Sequence, residues 1–275
     1  MYPIKIACET YTWQMPGEQY KGKLDHILRV ISKAGFSGIE PETSFFGPLE
    51  DPVRMREALD ACGLELAALC HVEDWRNPKE SAGEAHRAGK WMDFLAHFPD
   101  TLYLLVQMPG KDRQDLVARQ SNVLSCLNAI GARASARGIA CSFHPNSPAG
   151  SVFRTAEDYA VLMEGLHAGP VGYCPDVGHI AKGGMDPVQI LSAYRSLVNL
   201  VHYKDIHADG RWARTGTGVI DFAAITGYLK ATGYTGWIVM EDECDRAISD
   251  PDGLTLEAGK YLDGTLKPLI GNMTP

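Results

Sequence analysis

The sequence predicts one (β/α)8 barrel, a single domain over residues 1–275, and three observations predict it. Short apolar runs alternate with longer helical patterns eight times, with glycine between them. Polar residues able to do chemistry stand where each apolar run ends: Glu9, Glu40, His71, Gln107, His144, Asp176, His202 and Glu241. The length of 275 residues suits a closed barrel, typically about 250 residues, better than an open doubly wound sheet. Alternating β and α implies a parallel sheet. No linker-like or low-complexity stretch divides the chain.

The elements follow in order. Residues 4–8 form the first strand, and a helix over 20–34 stops at Gly35. A strand at 38–40 leads to a helix over 52–62, stopped by Gly63. Strands are predicted at 64–70 and 101–107, with helices over 81–98 and 114–137, the latter stopped by Gly138. In the second half, strands 139–143, 171–174, 197–203 and 237–240 precede helices 155–166, 187–194, 222–231 and 254–266. In such a barrel the strand C-termini converge on one mouth, where the active site lies.

Composition narrows the function. A hydrophobic share of 45% and a charged share of 22% are those of an ordinary globular protein. The formal charge of −8 argues against a nucleic-acid partner, which calls for a clustered basic face. The seven cysteines include no CxxC pair and sit mostly in apolar runs. They read as buried free thiols of a reducing compartment. MYPIKIACET is not a signal peptide, and no apolar run approaches the ~18 residues of a membrane span. The expectation is a cytoplasmic protein with no membrane partner.

Four strand ends carry the chemistry. Asp176 follows an apolar strand and precedes a glycine turn, so its carboxylate reaches the mouth as ligand or base. The plainer reading is a helix cap, but the next predicted helix starts near Pro187. Alternation puts His202 and Lys204 on one side of their strand. His202 reads as a neutral imidazole ligand. Lys204 needs a carboxylate or a substrate hydroxyl, because a buried ammonium is costly alone. After residues 237–240 come three acids, Glu241, Asp242 and Glu243. They repel one another unless a cation is near, and a solvated acidic loop is the plainer reading for Asp242 and Glu243. His144 alone reads as a structural histidine; beside the other three it reads as a ligand.

His144, Asp176, His202 and Glu241 therefore form the expected metal set. Two imidazoles and two carboxylates suit a borderline divalent ion, with manganese first and cobalt, iron, zinc or magnesium as alternatives. Calcium prefers an all-oxygen shell. Glu40, His71, Gln107, His179 and Arg214 are expected to grip a polyhydroxylated substrate, and Trp13, Trp75 and Trp212 to shield it.

At this point the motifs carry a resemblance. Asp176-Val177-Gly178-His179, His202-Tyr203-Lys204-Asp205, Gly216-Thr217-Gly218-Val219-Ile220-Asp221-Phe222 and Gly233-Tyr234-Thr235-Gly236-Trp237 through Glu241 resemble the sugar phosphate isomerase/epimerase superfamily of xylose isomerase-like TIM barrels. The match is dense from about Ile139 to Leu266. It implies that Asp176, His202 and Glu241 fall on family metal ligands. His144 stands where epimerases carry a glutamate, and that is more similar to the inosose dehydratase branch. Asn146 stands where that branch shows a second histidine. The resemblance also implies a homo-oligomer or a partner subunit on an exposed barrel face.

The expected function is a metal-dependent lyase acting on a small keto-sugar, keto-cyclitol or 3-keto-glycoside. The metal polarises a carbonyl and its neighbouring hydroxyl, a base takes the α-proton, and a β-group leaves. His144, Glu241 and Glu42 are the candidate bases, and Lys204 completes the catalytic set. An isomerase or epimerase, and a barrel that only binds a sugar or a partner, are the alternatives.

Overall fold

In the computed structural model, residues 4–271 are described, and local sequence signals explain most of their elements. The chain runs through β1 (Ile4–Glu9), α1 (Leu24–Lys33), β2 (Gly38–Glu40), α2 (Pro52–Cys62), β3 (Glu65–Leu66) and β4 (Ala68–Glu73). It continues through α3 (Ala82–Leu95), β5 (Leu102–Gln107), α4 (Leu116–Ser135), β6 (Cys141–His144), α5 (Ala156–His167), β7 (Val171–Tyr173), α6 (Val177–Lys182) and α7 (Pro187–Ala193). The last elements are β8 (Val201–Tyr203), β9 (Asp205–Ile206), β10 (Trp212–Ala213), α8 (Phe222–Ala231), β11 (Gly236–Met240), α9 (Pro251–Tyr261) and α10 (Lys267–Ile270).

Two compact units share these elements. Of the described residues, one takes 4–67 and 201–271, the other 68–200. The first holds a parallel sheet in the order β3-β2-β1-β11-β8. Its register sets Glu9 opposite Glu40 and Val239 opposite His202. The ladder continues past β11, where the Glu241 N–H donates to Tyr203 O at 3.0 Å. The second unit holds the parallel sheet β4-β5-β6-β7, with Phe143 opposite Tyr173. Its ladder also runs on, with Cys174 N–H donating to Phe143 O at 2.9 Å.

Helix ends obey capping chemistry. Asp51 accepts from Val53 and Arg54 N–H, Pro52 takes the first helical position, and Gly63 closes α2 at φ 64°. That glycine position is left-handed, where a side chain would be strained. Ser81 with Glu84, and Thr155 with Asp158, make capping boxes at α3 and α5. In α1 the stripe Leu24, Ile27, Leu28 and Ile31 is fully buried, the spacing of one helix face.

Four of the departures from expectation stand out. Strand 64–70 breaks at Ala67, so β3 pairs with β2 while β4 pairs with β5 and runs on to Glu73. Strand 197–203 shortens to β8, because residues 195–197 turn as a 3-10 helix. The last long helix starts at Pro251, where Asp250 caps it, and not at 254. The fourth departure is α6, which begins directly after Asp176 and had been read as loop. Among the described residues, the seven cysteines form no disulfide. Among the described residues, no helix is long and apolar enough to cross a membrane.

Candidate functional site

In the second unit, His144 ends β6 and Asp176 follows β7, and the paired strands bring the two side by side. Asp176 Oδ2 lies 3.4 Å from His144 Nε2, and both residues are buried. Asp176 is also a helix cap: its Oδ1 accepts from His179 N–H at 2.8 Å. The cap reading set aside from the sequence is thus correct for one oxygen, because α6 starts ten residues before the helix expected at Pro187. The other oxygen faces the imidazole. The carboxylate serves both ends.

The capped helix carries His179 against His144, with ring centroids 5.5 Å apart and planes nearly perpendicular. His179 Nδ1 meets Ser147 Oγ at 2.7 Å. Ser147 was absent from the expected set, and its only signal was its nearness to His144 in sequence. Gln107 and Asn146 brace the neighbouring strand ends. Asn146 Nδ2 donates to Gln107 O at 3.0 Å, and Gln107 Nε2 donates to Asp74 O at 3.2 Å.

His71 does not fit the role expected of it. Its Nδ1 meets the Tyr103 hydroxyl and its Nε2 lies 3.0 Å from Glu73. Both ring nitrogens therefore face protein groups. Glu73 is itself gripped by Arg87, with Nη2 at 2.8 Å. Burial opposes the charge on Glu73, but the hydrogen bonds from Arg87 and His71 win and lower its carboxyl to about 2. A depressed carboxylate stabilises the fold fully above its ordinary value of 4.5, and that stabilisation is lost as pH falls toward about 2. Arg87 is half exposed, so screening limits the contribution to about 2 kcal/mol. Glu73→Gln is expected to lower stability by that amount at neutral pH and to flatten the acid limb between 4.5 and 2. Urea midpoints across this range check it; curves parallel to wild type would exclude the ion pair as the cause.

In the first unit, four strand ends contribute. His202 Nε2 lies 3.1 Å from the Glu40 carboxylate, and His202 Nδ1 lies 3.5 Å from Glu241 Oε2. Lys204 Nζ lies 2.5 Å from Glu241 Oε1 and 2.7 Å from Glu243 Oε2. Its ammonium sits between the rings of Tyr11 and Trp212, at 5.4 and 4.8 Å. Lys204 is 2% exposed, and its partners are carboxylates, one of the two kinds expected of it. Glu243 is an ion-pair partner, not part of a solvated loop.

Asp242 points the other way, as strand alternation requires, yet it too is buried. Thr215 donates to its Oδ1 from N–H at 2.7 Å and from Oγ1 at 3.0 Å. Burial pushes its carboxyl up to about 6, against the pull of those two bonds. Glu9, left out of the expected site, lies across the register from Glu40. Burial, then the charges of Glu241 and Glu40, push its carboxyl well above the usual range. Its place at a strand end was the available signal.

The remaining candidates are held elsewhere in this unit. Glu42 accepts from Ser44 N–H at 3.2 Å, Ser44 Oγ at 3.0 Å and Gln14 Nε2 at 3.0 Å. Arg214 lies 3.5 Å from Glu257. Trp13 is fully buried, and its indole N–H donates to Asp252 at 2.7 Å; it is core and offers no stacking face. Asp205 accepts from Gly216 and Gly218 N–H at 3.0 and 2.8 Å. A Cβ on Gly218 would stand 2.2 Å from that carboxylate, so the two motifs that contain these residues are one loop lock.

Parallel sheets joined by helices, with buried His–Asp and His–Glu pairs at their strand ends, are features of the α/β barrel class. The model of the xylose isomerase-like TIM barrel family matches residues 28–264, and the chain belongs to that family. Inosose dehydratase of Lacticaseibacillus casei is 30% identical over 302 residues, covering 96% of this chain and 97% of the relative. Inosose dehydratase of Geobacillus kaustophilus is 25% identical, covering 98% and 96%. Among solved structures, the IOLI protein with a binding zinc atom is 18% identical with a TM-score of 0.73, covering 94% and 97%. The 3-keto-D-glucoside 4-epimerase YcjR from E. coli is also 18% identical at 0.73, covering 94% and 99%.

Proposed function

We propose that the protein is a divalent-metal-dependent lyase that removes a β-hydroxyl or glycosidic group from a small keto-cyclitol, keto-sugar or 3-keto-glycoside. His144, Asp176, His202 and Glu241 would hold the ion. The donor chemistry fits: all four are buried, and each pair already stands within its own unit at the spacing of two ligands of one ion. The zinc of the IOLI structure and the full-length likeness to inosose dehydratases support the same reading. Mixed imidazole and carboxylate ligation admits manganese, cobalt, iron, zinc or magnesium, and we put manganese first.

The observation that carries the choice of lyase is His144. An imidazole lies beside Asp176 where a sugar epimerase of this superfamily carries a glutamate, so a proton relay between two glutamates is broken. When bound, the ion polarises the keto oxygen and its neighbouring hydroxyl and acidifies the α-hydrogen. The chain's own residues do the rest. Lys204, itself buried, keeps the buried Glu241 and the half-buried Glu243 charge-balanced. His179, fixed by Ser147 and stacked edge-on against His144, is placed to bind a substrate hydroxyl. The base is a group of this set; Glu42 is the weakest candidate, because its carboxylate already accepts three hydrogen bonds.

The assay is incubation of metal-loaded protein with keto-inositols and 3-keto-glycosides in deuterated water. Formation of an unsaturated ketone, read by ultraviolet absorbance and mass loss, is the expected result. Deuterium at carbon with no group lost would establish the epimerase alternative instead. Binding without any turnover would leave a sugar-binding barrel.

A further inference from the structure

Glu40 is buried to 0% exposure at the end of β2, and among the described residues its carboxylate turns to an imidazole. Both of its oxygens lie 3.1 Å from His202 Nε2. The opposite ring nitrogen, Nδ1, faces Glu241 Oε2 at 3.5 Å. A carboxylate against one imidazole nitrogen fixes the proton there and leaves the other nitrogen to donate its lone pair. Such partners orient a metal-binding histidine and raise its basicity, and their loss typically weakens affinity by about 10–100-fold.

We infer that Glu40 is a positioning residue: it holds His202 with the proton on Nε2, so that His202 ligates through Nδ1 on the side of Glu241. This rests on the metal reading above, and it replaces the substrate-gripping role expected for Glu40. Two further features support it. β2 reaches β8 through β1 and β11 in one parallel sheet, so the backbone fixes the Glu40–His202 distance. Glu9, directly across the register from Glu40, accepts from Tyr11 N–H at 2.5 Å, which ties the neighbouring carboxylate to its own backbone turn. Among the described residues, His202 is the hydrogen-bond partner of the Glu40 carboxylate.

The test is cobalt(II) titration of metal-free wild type, Glu40→Gln, Glu40→Ala, Glu40→Asp and His202→Ala, read by visible absorption and by chelator competition. Glutamine keeps an acceptor and is expected to lose less than 10-fold in affinity. Alanine removes the acceptor and is expected to lose 10–100-fold, with a shifted cobalt spectrum. Aspartate keeps the charge but withdraws it by one methylene, and it is expected to behave like alanine; it decides the matter if Glu40→Ala does not fold. Wild-type affinity and spectrum in Glu40→Ala or Glu40→Asp would overturn the inference while leaving the metal reading intact. A wild type that takes up no cobalt would instead sink the metal reading itself.

Discussion

Asp176→Ala and His202→Ala are each expected to strip the protein of its metal. Elemental analysis of the wild type should give close to one divalent ion per chain, and each variant close to none. Turnover should fall at least 1000-fold in both, since in the proposed mechanism the ion would supply the electrophile and no side chain would replace it. The two variants differ in their side effects. Asp176→Ala also removes the cap of α6, a cost of about 1 kcal/mol, while His202→Ala leaves Glu40 buried without its imidazole partner, a cost of about 1–3 kcal/mol. Asp176→Asn separates the two roles, because the amide can still accept from His179 N–H but carries no charge. It should keep the fold and lose the metal. A wild type that remains empty after loading with each ion would end the mechanism.

Lys204→Met should destabilise the first unit strongly. It leaves the buried Glu241 and the half-buried Glu243 repelling each other, with their shared cation gone. Removing one member of a buried ion cluster costs about 3–5 kcal/mol. The penalty should be larger without metal than with it, because an ion on Glu241 restores part of the missing charge. Adding Glu243→Gln should recover a good part of the loss, which a packing defect would not show. Urea midpoints of the two variants, with and without metal, measure this. A loss under about 1 kcal/mol would mean that Lys204 contributes packing and little charge.

The barrel was legible in the sequence because its signals are local. Apolar runs, glycine stops and the periodic stripe of α1 each need only a few neighbouring residues. Candidate ligands were legible for a related reason: an ionisable residue just past an apolar run has few bland explanations, and the parallel registers do set His144 beside Asp176 and His202 beside Glu241. What failed depended on contacts distant in sequence. Nothing near His71 announces Tyr103, nothing near Trp13 announces Asp252, and nothing near Glu40 announces His202, 162 positions away. Asp242 failed for the same reason, since Thr215 turns an apparently solvated acid into a buried one. The short α6 was missed because six residues offer too little periodicity to detect, although its cap, Asp176, was in plain view.

That cap couples two events usually kept apart. A six-residue helix has little stability of its own, and one carboxylate both closes α6 and faces His144. Whatever draws on Asp176 therefore acts on the first turn of α6. The amide of His179 becomes a reporter: its exchange with solvent hydrogen should slow when Asp176 is immobilised by a ligand and quicken when the carboxylate is lost. The same coupling sets the reach of His179, so occupancy beside His144 and the posture of the helix that presents the neighbouring imidazole change together.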